Sequence, residues 1–356
     1  MKILHIITNT ELGGAQTVCI SLANMASNEG NTVAVASMEG GYLWDNLDSS
    51  VIRFKIKNMV KPISLLPDLK CYFELKNEIN KFSPDIIHLH SSKAGVLGRL
   101  AGRKYKKSII YTVHGFDSIR LKHRFFLPLE RFLQKYCGAI VAVSHYDKQN
   151  LLKEKITHKV KTIRNGIVKP EEEAAIPFDI GKYKKVVITI ARIAYPKKFQ
   201  SFLSVASDPA MKDYLFVWAG GSAEKSMEEI KKEFSIPSNV LLLGDCPNAS
   251  GLLPYCDLFV LFSNYEGLPM TIIEAMAQKK AIVASNVGGI PELVDNTNGL
   301  LIETDEDAVK AISNILQDNE KKSKMERASF EKFSNFFTLD IMWKNYRNLY
   351  KEIAKG

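Results

Sequence analysis

The feature that most constrains this chain is an alternation of short apolar runs with stretches of helical periodicity. It runs through once, breaks near residues 169–185, and then starts again. The first unit sets the rhythm. An apolar run at 2–8 is followed by a glycine-bearing loop at 9–15, a helical pattern to about Glu29 that Gly30 ends, and a second apolar run at 32–37. That is one βαβ unit. Further runs at 86–90, 109–113 and 139–144 are spaced by helical patterns at 69–81, 95–104 and 125–136. Parallel strands joined by crossover helices predict a doubly wound sheet.

The break contains Pro170, three glutamates at 171–173, Pro177 and a lysine cluster, and it reads as a linker. Beyond it, apolar runs at 186–191, 216–219, 240–243, 258–262 and 281–285 alternate with helical patterns at 200–207, 223–234 and 271–278. A long amphipathic helix over 339–354 closes the chain, with Trp343, Tyr346, Leu349 and Tyr350 on its apolar side. At 356 residues and 46% apolar, the chain has material for two cores. The expected fold class is α/β, with two Rossmann-like doubly wound domains facing a cleft. The expected boundaries are 1–172 for an N-terminal domain, 173–338 for a C-terminal domain, and 339–356 for a helix packing back on the first.

No apolar run approaches the roughly 20 residues that span a bilayer, so neither a signal peptide nor a transmembrane helix is expected. Five cysteines are scattered without a CxxC pair, which argues against a disulfide framework or a structural zinc and fits a reducing cytosol. Charge is divided unevenly. Residues 1–175 hold 26 Lys and Arg against 16 Asp and Glu, a net +10, while residues 176–356 hold 22 against 23, a net −1. The basic residues cluster at Arg99, Arg103, Lys104, Lys106 and Lys107, and again at Arg120, Lys122 and Arg124 among Leu121, Phe125, Phe126 and Leu127. Such a segment suits an anionic membrane surface or a phosphorylated acceptor. The competing reading is a solvated basic face whose apolar side lies in the core.

Candidate chemistry concentrates in the second half. Asp305-Glu306-Asp307 is the one DxD, and its place just before the helical pattern 308–316 makes it a helix cap rather than a metal pair. No metal is therefore expected, and a diphosphate would be held by fixed cations and helix N-termini. Arg192 ends the run 186–191 and Lys197 lies five residues on, so both fall at the carboxyl end of a parallel sheet, where such sheets bind ligands. The segment 264–277, NYEGLPMTIIEAMA, is more specific. Glu266 follows a strand, Gly267 permits close backbone approach, and Pro269 suits a first helical position. The N–H groups of Met270 and Thr271 then face a phosphate, and Glu274 is placed to bond the vicinal hydroxyls of a ribose. Elsewhere, His88 and His90 alternate on a buried strand and are expected to be packed or hydrogen-bonded rather than metal ligands.

The run 239–303, with Gly244, Pro254, Glu266–Pro269, Glu274–Ala277 and the VGGIPE at 287–292, resembles the retaining glycosyltransferases of family 4, which have the two-domain GT-B fold. The likeness extends over nearly the whole chain. It includes Leu12-Gly13-Gly14-Ala15, the PDIIHLH at 84–90, Thr112-Val113-His114-Gly115, Val143-Ser144, Asn165-Gly166-Ile167, and Arg192 with Lys197. The resemblance implies that Gly13, Gly14, Arg192, Lys197, Gly267, Leu268, Met270 and Thr271 surround the donor diphosphate. It also implies that Glu274 holds the ribose, Glu266 the sugar hydroxyls, His114 the donor sugar and the backbone near Cys246 the base. Three departures stand near the donor site: Ala191 before Arg192 where the family has Gly, Lys198 after Lys197 where it has Gly, and Lys280 where it has Gly.

What the resemblance implies is transfer of a sugar from a nucleotide diphosphate sugar, with UDP expected as the nucleotide, to a saccharide or polyprenyl-linked saccharide in cell-surface polysaccharide synthesis. The acceptor would be received by the N-terminal domain. No cofactor, no metal and no nucleic-acid partner are expected, and the expected location is cytoplasmic, peripheral at the inner membrane face. The rival readings are a sugar-nucleotide epimerase of similar fold and a catalytically silent sugar-nucleotide-binding protein. A nicotinamide enzyme is disfavoured because Gly13-Gly14 lacks the GxGxxG spacing.

Overall fold

A computed structural model describes residues 1–170, 179, 181 and 183–355. The glutamates and Pro177 of the expected linker, and the expected boundary between 172 and 173, lie outside the described residues. The chain divides into two compact units, Met1–Gly166 with Leu339–Gly356, and Ile167–Thr338.

The first unit holds seven strands: β1 (Lys2–Ile7), β2 (Thr32–Ser37), β3 (Ile52–Lys55), β4 (Ile86–His90), β5 (Ile109–Val113), β6 (Ala139–Ala142) and β7 (Val160–Thr162). All pair in parallel, in the order β3-β2-β1-β4-β5-β6-β7. β4, β5 and β6 are buried along their whole length, as strands covered on both faces must be, which is why they read as continuous apolar runs. The edge strands β3 and β7 carry no fully buried position, and no apolar run announces them. The strand order reverses between β1 and β4.

The second unit repeats the plan with β8 (Lys185–Ile190), β9 (Tyr214–Ala219), β10 (Val240–Gly244), β11 (Leu258–Leu261), β12 (Ile282–Ser285) and β13 (Gly299–Ile302). Their order is β10-β9-β8-β11-β12-β13, again all parallel, with the reversal between β8 and β11. Both units are thus doubly wound α/β sheets, as the alternation predicts.

Helix boundaries differ where caps decide them. The pattern 223–234 becomes a helix only at Met227–Glu233, because the Ser226 hydroxyl and the Glu229 carboxylate form a capping box that starts it late. The pattern 125–136 is one α-helical span, Leu127–Leu133, with tighter turns on both sides. The polar helix Asn319–Phe336 escapes the apolar pattern altogether, since it buries only Met325, Ser329 and Phe333. Asp305–Asp307 sit in the first turn of the helix Asp305–Leu316, where Asp307 and Thr304 form a second capping box.

The helix Leu339–Ala354 belongs to the first unit. Its Trp343 indole donates to Glu29 at 2.7 Å, and its Tyr350 hydroxyl lies 2.7 Å from His88 Nδ1. Arg99, counted in the basic segment, is no surface cation. It is fully buried, donates to both carboxylate oxygens of Glu130 at 2.8 and 2.7 Å, and lies over the Tyr111 ring. Burying a guanidinium is tolerated only when it is paired and hydrogen-bonded, as here by Glu130 and, from Nε, by the Gly95 carbonyl at 2.6 Å.

Candidate donor site

In the second unit the reversal between β8 and β11 brings two loops together. The loop after β8 is tied to the end of β11 by backbone bonds, Lys198 N–H to the Phe262 carbonyl and Asn264 N–H to the Pro196 carbonyl, each 2.9 Å. Lys197 is thereby laid against Ser263. Its Nζ reaches Glu266 Oε1 at 2.5 Å, and the buried Ser263 hydroxyl donates to the same oxygen at 2.6 Å. Both bonds fall on Oε1, which leaves the second carboxylate oxygen of Glu266 for another donor. The side chains of Lys197 and Glu266 are only 18% and 12% exposed, so the pair works in a low-dielectric setting. The sequence reading missed Ser263, although a hydroxyl three residues before the loop acid was there to be found. Gly289 N–H donates to the Glu266 carbonyl at 3.2 Å, and Gly288, at φ +60, packs where a Cβ would strike that carbonyl. The glycine pair after β12 therefore fixes the backbone of Glu266.

The helix Met270–Ala277 begins directly behind this acid. Pro269 is its N-cap, with ψ 121, and not its first helical residue as its type suggests. Proline supplies no side-chain cap, so the N–H groups of Met270 and Thr271 have no partner within the helix. The Thr271 hydroxyl is buried and has no hydrogen-bond partner. Leu268 is buried against this turn and Gly267 is half-buried beside it. Glu274 lies one turn further on. Its carboxylate has no hydrogen-bond or ion-pair partner among the described residues, and burial pushes it up to about 7. An unpaired acid held above its usual range marks a candidate site.

Arg192 follows β8 and is exposed; among the described residues its guanidinium has no recorded partner. Next to it, Ile193 N–H donates to the Gly221 carbonyl at 2.7 Å, and Gly221 N–H donates to Asp245 Oδ1 at 3.1 Å. The ends of β8, β9 and β10 are thus joined through Gly220-Gly221, and half-buried Cys246 follows Asp245 at the rim. Lys280, one of the family departures, is buried and donates from Nζ to the carbonyls of Pro254 and Cys256, which is a structural role.

The first unit places its own candidates at the ends of β1 and β5. Gly13 is the N-cap of the helix Gly14–Asn28, which has neither a side-chain cap nor an acid in its first turn, so its N-terminal N–H groups remain open to an anion. His114 follows β5 directly. Its Nε2 lies 3.1 Å from His90 Nδ1, its Nδ1 is buried without a partner, and burial holds the ring down to about 4. His88 and His90 are hydrogen-bonded, His88 to Tyr350 and Thr112 and His90 to His5 and His114.

The basic run 120–124 is partly neutralised. Arg120 Nε donates to Asp117 at 2.8 Å, Arg124 pairs with Glu154 at 3.1 Å, and Lys122 is exposed. A second exposed surface, unmarked by charge and unforeseen in the sequence, lies at the start of the helix Leu65–Phe82. There Ile63, Leu65, Leu66, Leu69 and Phe73 are all more than half exposed, Leu65 to 85%.

Comparison with known proteins accords with this geometry. Residues 12–168 match the family model described as Glycosyltransferase Family 4, and residues 171–332 match Glycosyl transferases group 1. The UDP-Gal:alpha-D-GlcNAc-diphosphoundecaprenol alpha-1,3-galactosyltransferase of Escherichia coli is 29% identical, over 98% of this chain and 92% of the relative. A Campylobacter jejuni alpha-1,4-N-acetyl-D-galactosaminyltransferase acting on a GalNAc-containing diNAcBac-PP-undecaprenol is 24% identical over 94% of each. In fold, the chain is similar to Anabaena HepE in complex with UDP and glucose, with a TM-score of 0.83 at 20% identity, covering 99% of this chain and 100% of the other.

Proposed function

We propose a sugar-transfer reaction for this chain, which belongs to glycosyltransferase family 4 and has the GT-B fold. The donor is a UDP-sugar and the acceptor a saccharide carried on a polyprenyl diphosphate, for the synthesis of cell-surface polysaccharide. The relatives named for lipid-linked substrates support the acceptor class. They give no support to the epimerase or the silent binding protein.

One observation carries the reading. At the reversal of the second sheet, Lys197 and Ser263 hold one oxygen of Glu266 beside an uncapped helix N-terminus, with unpaired Glu274 one turn on. Arg192, Lys197 and the N–H groups of Met270 and Thr271 supply the positive charge for the leaving diphosphate, with the helix Gly14–Asn28 adding its N-terminus and Gly267 and Leu268 shaping the loop. Glu274 takes the ribose hydroxyls, Glu266 the sugar hydroxyls, His114 the donor sugar, and the backbone at Cys246 the base. Because fixed cations do this work, no metal is needed.

Transfer proceeds with retention. The bond from the anomeric carbon to the phosphate oxygen breaks as the acceptor oxygen attacks from the same face, and the acceptor's proton passes to the leaving phosphate oxygen. The transition state resembles an oxocarbenium ion, and no protein nucleophile takes part.

The first unit receives the acceptor at an anionic membrane, on the inner face. The exposed residues Lys122, Leu65, Leu66, Leu69 and Phe73 support such docking, with Arg120 and Arg124 as flanking cations. No helix among the described residues is long and apolar enough to cross a membrane. A thermal-shift screen against uridine, guanosine and adenosine diphosphates and their sugars tests the donor, since ligands that bind the folded state raise its melting temperature. UDP and a UDP-sugar should raise it most. Release of UDP on adding a polyprenyl-diphosphate-linked saccharide, with an α-linked product from an α-linked donor, tests the reaction. An inverted product would overturn the mechanism.

A further inference from the structure

The exposed apolar residues Ile63, Leu65, Leu66, Leu69 and Phe73 stand in a segment whose charges are sorted. Between residues 57 and 76 the chain has four lysines, Lys57, Lys61, Lys70 and Lys76, and two acids, Asp68 and Glu74. All four lysines are exposed, whereas both acids are engaged by the fold. Glu74 accepts from the Asn58 backbone N–H at 3.2 Å and from the Asn58 side-chain amide at 2.5 Å. Asp68 accepts from the Ser64 N–H at 3.1 Å and pairs with Lys93 Nζ at 2.5 Å. Lys61 lies 3.8 Å from Glu11, but both side chains are more than half exposed, so water screens that contact. The segment's outward charge is therefore positive, although its lysines are spread too thinly along the chain to stand out as a basic run.

Lys93 does more than neutralise Asp68. Its ammonium has three N–H donors, and all three are used, because beside Asp68 it donates to the Val60 carbonyl at 2.7 Å and to the Pro62 carbonyl at 2.6 Å. The side chains of Lys93 and Asp68 are 12% and 18% exposed, so water competes little for these bonds. Lys93 is itself rooted where the first sheet reverses. It stands in the first turn of the helix Ser92–Ala101, which follows β4, and its chain neighbours are fixed to the residue after β1. The Ser91 hydroxyl lies 2.9 Å from the Thr8 hydroxyl, which accepts from the Ala94 N–H at 3.1 Å. One cation thus ties the loop 60–62 and the start of the helix Leu65–Phe82 to the reversal between β1 and β4, the kind of place where open parallel sheets take their ligands.

We propose that Lys93 is a positioning residue: it clamps the lysine-rimmed apolar face of residues 61–76 to the reversal of the first sheet, so that an anionic bilayer bound by that face is held at a set distance from the carboxyl end of the strands. The inference rests on the reading that the first unit docks at a membrane, and adds to it the contact that registers the docking face to the sheet. A bilayer suits both the charge and the apolar surface. Apolar side chains enter the boundary between headgroups and acyl chains while flanking lysines meet anionic lipid. The inward pairing of Asp68 and Glu74 keeps like charge away from that lipid.

The test is sedimentation of the full-length protein with vesicles of phosphatidylcholine, with and without phosphatidylglycerol, alongside calorimetry of UDP. The deciding variant is Lys93→Met combined with Asp68→Asn, which removes one charge of each sign, so a purely electrostatic role leaves vesicle binding unchanged. The clamp predicts that this variant binds the mixed vesicles at least about fivefold more weakly, the equivalent of one lysine contact. It also predicts faster amide exchange over residues 60–68 and an unchanged affinity for UDP. Lys70→Ser with Lys76→Ser, outside the clamp, should lower the same vesicle affinity at least about tenfold. Unchanged vesicle affinity in the clamp variant, or a loss matched by an equal loss of UDP affinity, overturns the proposal. If that variant does not fold, Asp68→Ala decides. It raises the net positive charge, so weaker vesicle binding supports the clamp and equal or tighter binding overturns it. Wild-type protein that sediments equally with both vesicles or with neither, or that forms a concentration-dependent dimer through this face instead, would remove the membrane reading and the clamp with it.

Discussion

Lys197 Nζ and Glu266 Oε1 lie 2.5 Å apart across the reversal of the second sheet, so the cation assigned to the diphosphate and the acid assigned to the sugar are already one unit. Each has a second capacity. The ammonium retains two further donors, and the carboxylate retains its other oxygen because Ser263 and Lys197 share the first. The pair is held in the arrangement that the proposed ligand, with negative charge and hydroxyls side by side, requires.

Residues that act as a unit give non-additive losses. Lys197→Ala and Glu266→Gln should each lower kcat/KM at least tenfold, while the double variant falls well short of the product of the two. The expected coupling is about 0.5–3 kcal/mol. Each single change also leaves a mostly buried group short of a partner, at a stability cost of about 1–3 kcal/mol. A double-mutant cycle in kinetics and in urea unfolding measures both, and strict additivity would separate the two residues.

Glu274 provides a pH handle. Its carboxyl is pushed up to about 7 by burial, so in the free protein it is largely protonated at pH 6 and ionised at pH 8. A raised carboxyl favours the folded state below its unfolded value, roughly 4.3, and that contribution is lost as pH rises through about 7. Ribose hydroxyls bind the ionised form better, so UDP affinity should rise from pH 6 to pH 8, and unliganded Glu274→Gln should be less destabilised than the wild type over the same interval. Calorimetry and melting at the two pH values decide. A Glu274→Gln protein with unchanged UDP affinity at pH 8 would remove the ribose assignment.

Activity should survive excess EDTA. Asp307 completes a capping box and Asp305 sits in the first turn of the same helix, and the fixed charges named for the diphosphate are Arg192, Lys197 and helix N–H groups. Loss of turnover that returns only with Mn²⁺ or Mg²⁺ would contradict this.

The proposed membrane docking divides into an apolar and a charged part. Each Lys or Arg near an anionic surface contributes about 1 kcal/mol, but Arg120 and Arg124 are already paired. Changing Leu66, Leu69 and Phe73 together to Ser should therefore abolish sedimentation with anionic vesicles, whereas Lys122→Ser should weaken it only at low salt. Arg120→Ser is a poor surface probe because it takes the guanidinium from Asp117, which is 2% exposed and would keep the Tyr146 hydroxyl at 2.9 Å but lose its cation. Undiminished vesicle binding in the triple Ser variant would locate docking elsewhere.

Much of the fold was legible. Strands such as Thr32–Ser37, Ile86–His90 and Ile109–Val113 stand in the sequence residue for residue, because strands buried on both faces are mostly apolar, and the polar side chains of β4 and β5, His88, His90 and Thr112, are admitted with hydrogen-bond partners. The edges were not legible, because β3 and β7 bury too little to leave a pattern, and the helix Asn319–Phe336 shows too few apolar positions to register. Pro269 was read one position too far into its helix, since its residue type suits both the cap and the first turn.

By itself the sequence determined the two doubly wound units and the residue types at their strand ends, because periodicity and loop chemistry are local properties that a linear string carries. Which side chains meet was decided only by the tertiary structure. Lys197 and Glu266 are 69 residues apart in the chain, and His5 and His90 are 85 apart. Their contacts exist because parallel pairing sets β8 beside β11 and β1 beside β4. The same packing removed Arg99 from the surface and paired Arg120 and Arg124. A basic residue reads alike in sequence whether its charge faces water or a carboxylate, and only the surrounding fold tells the two apart.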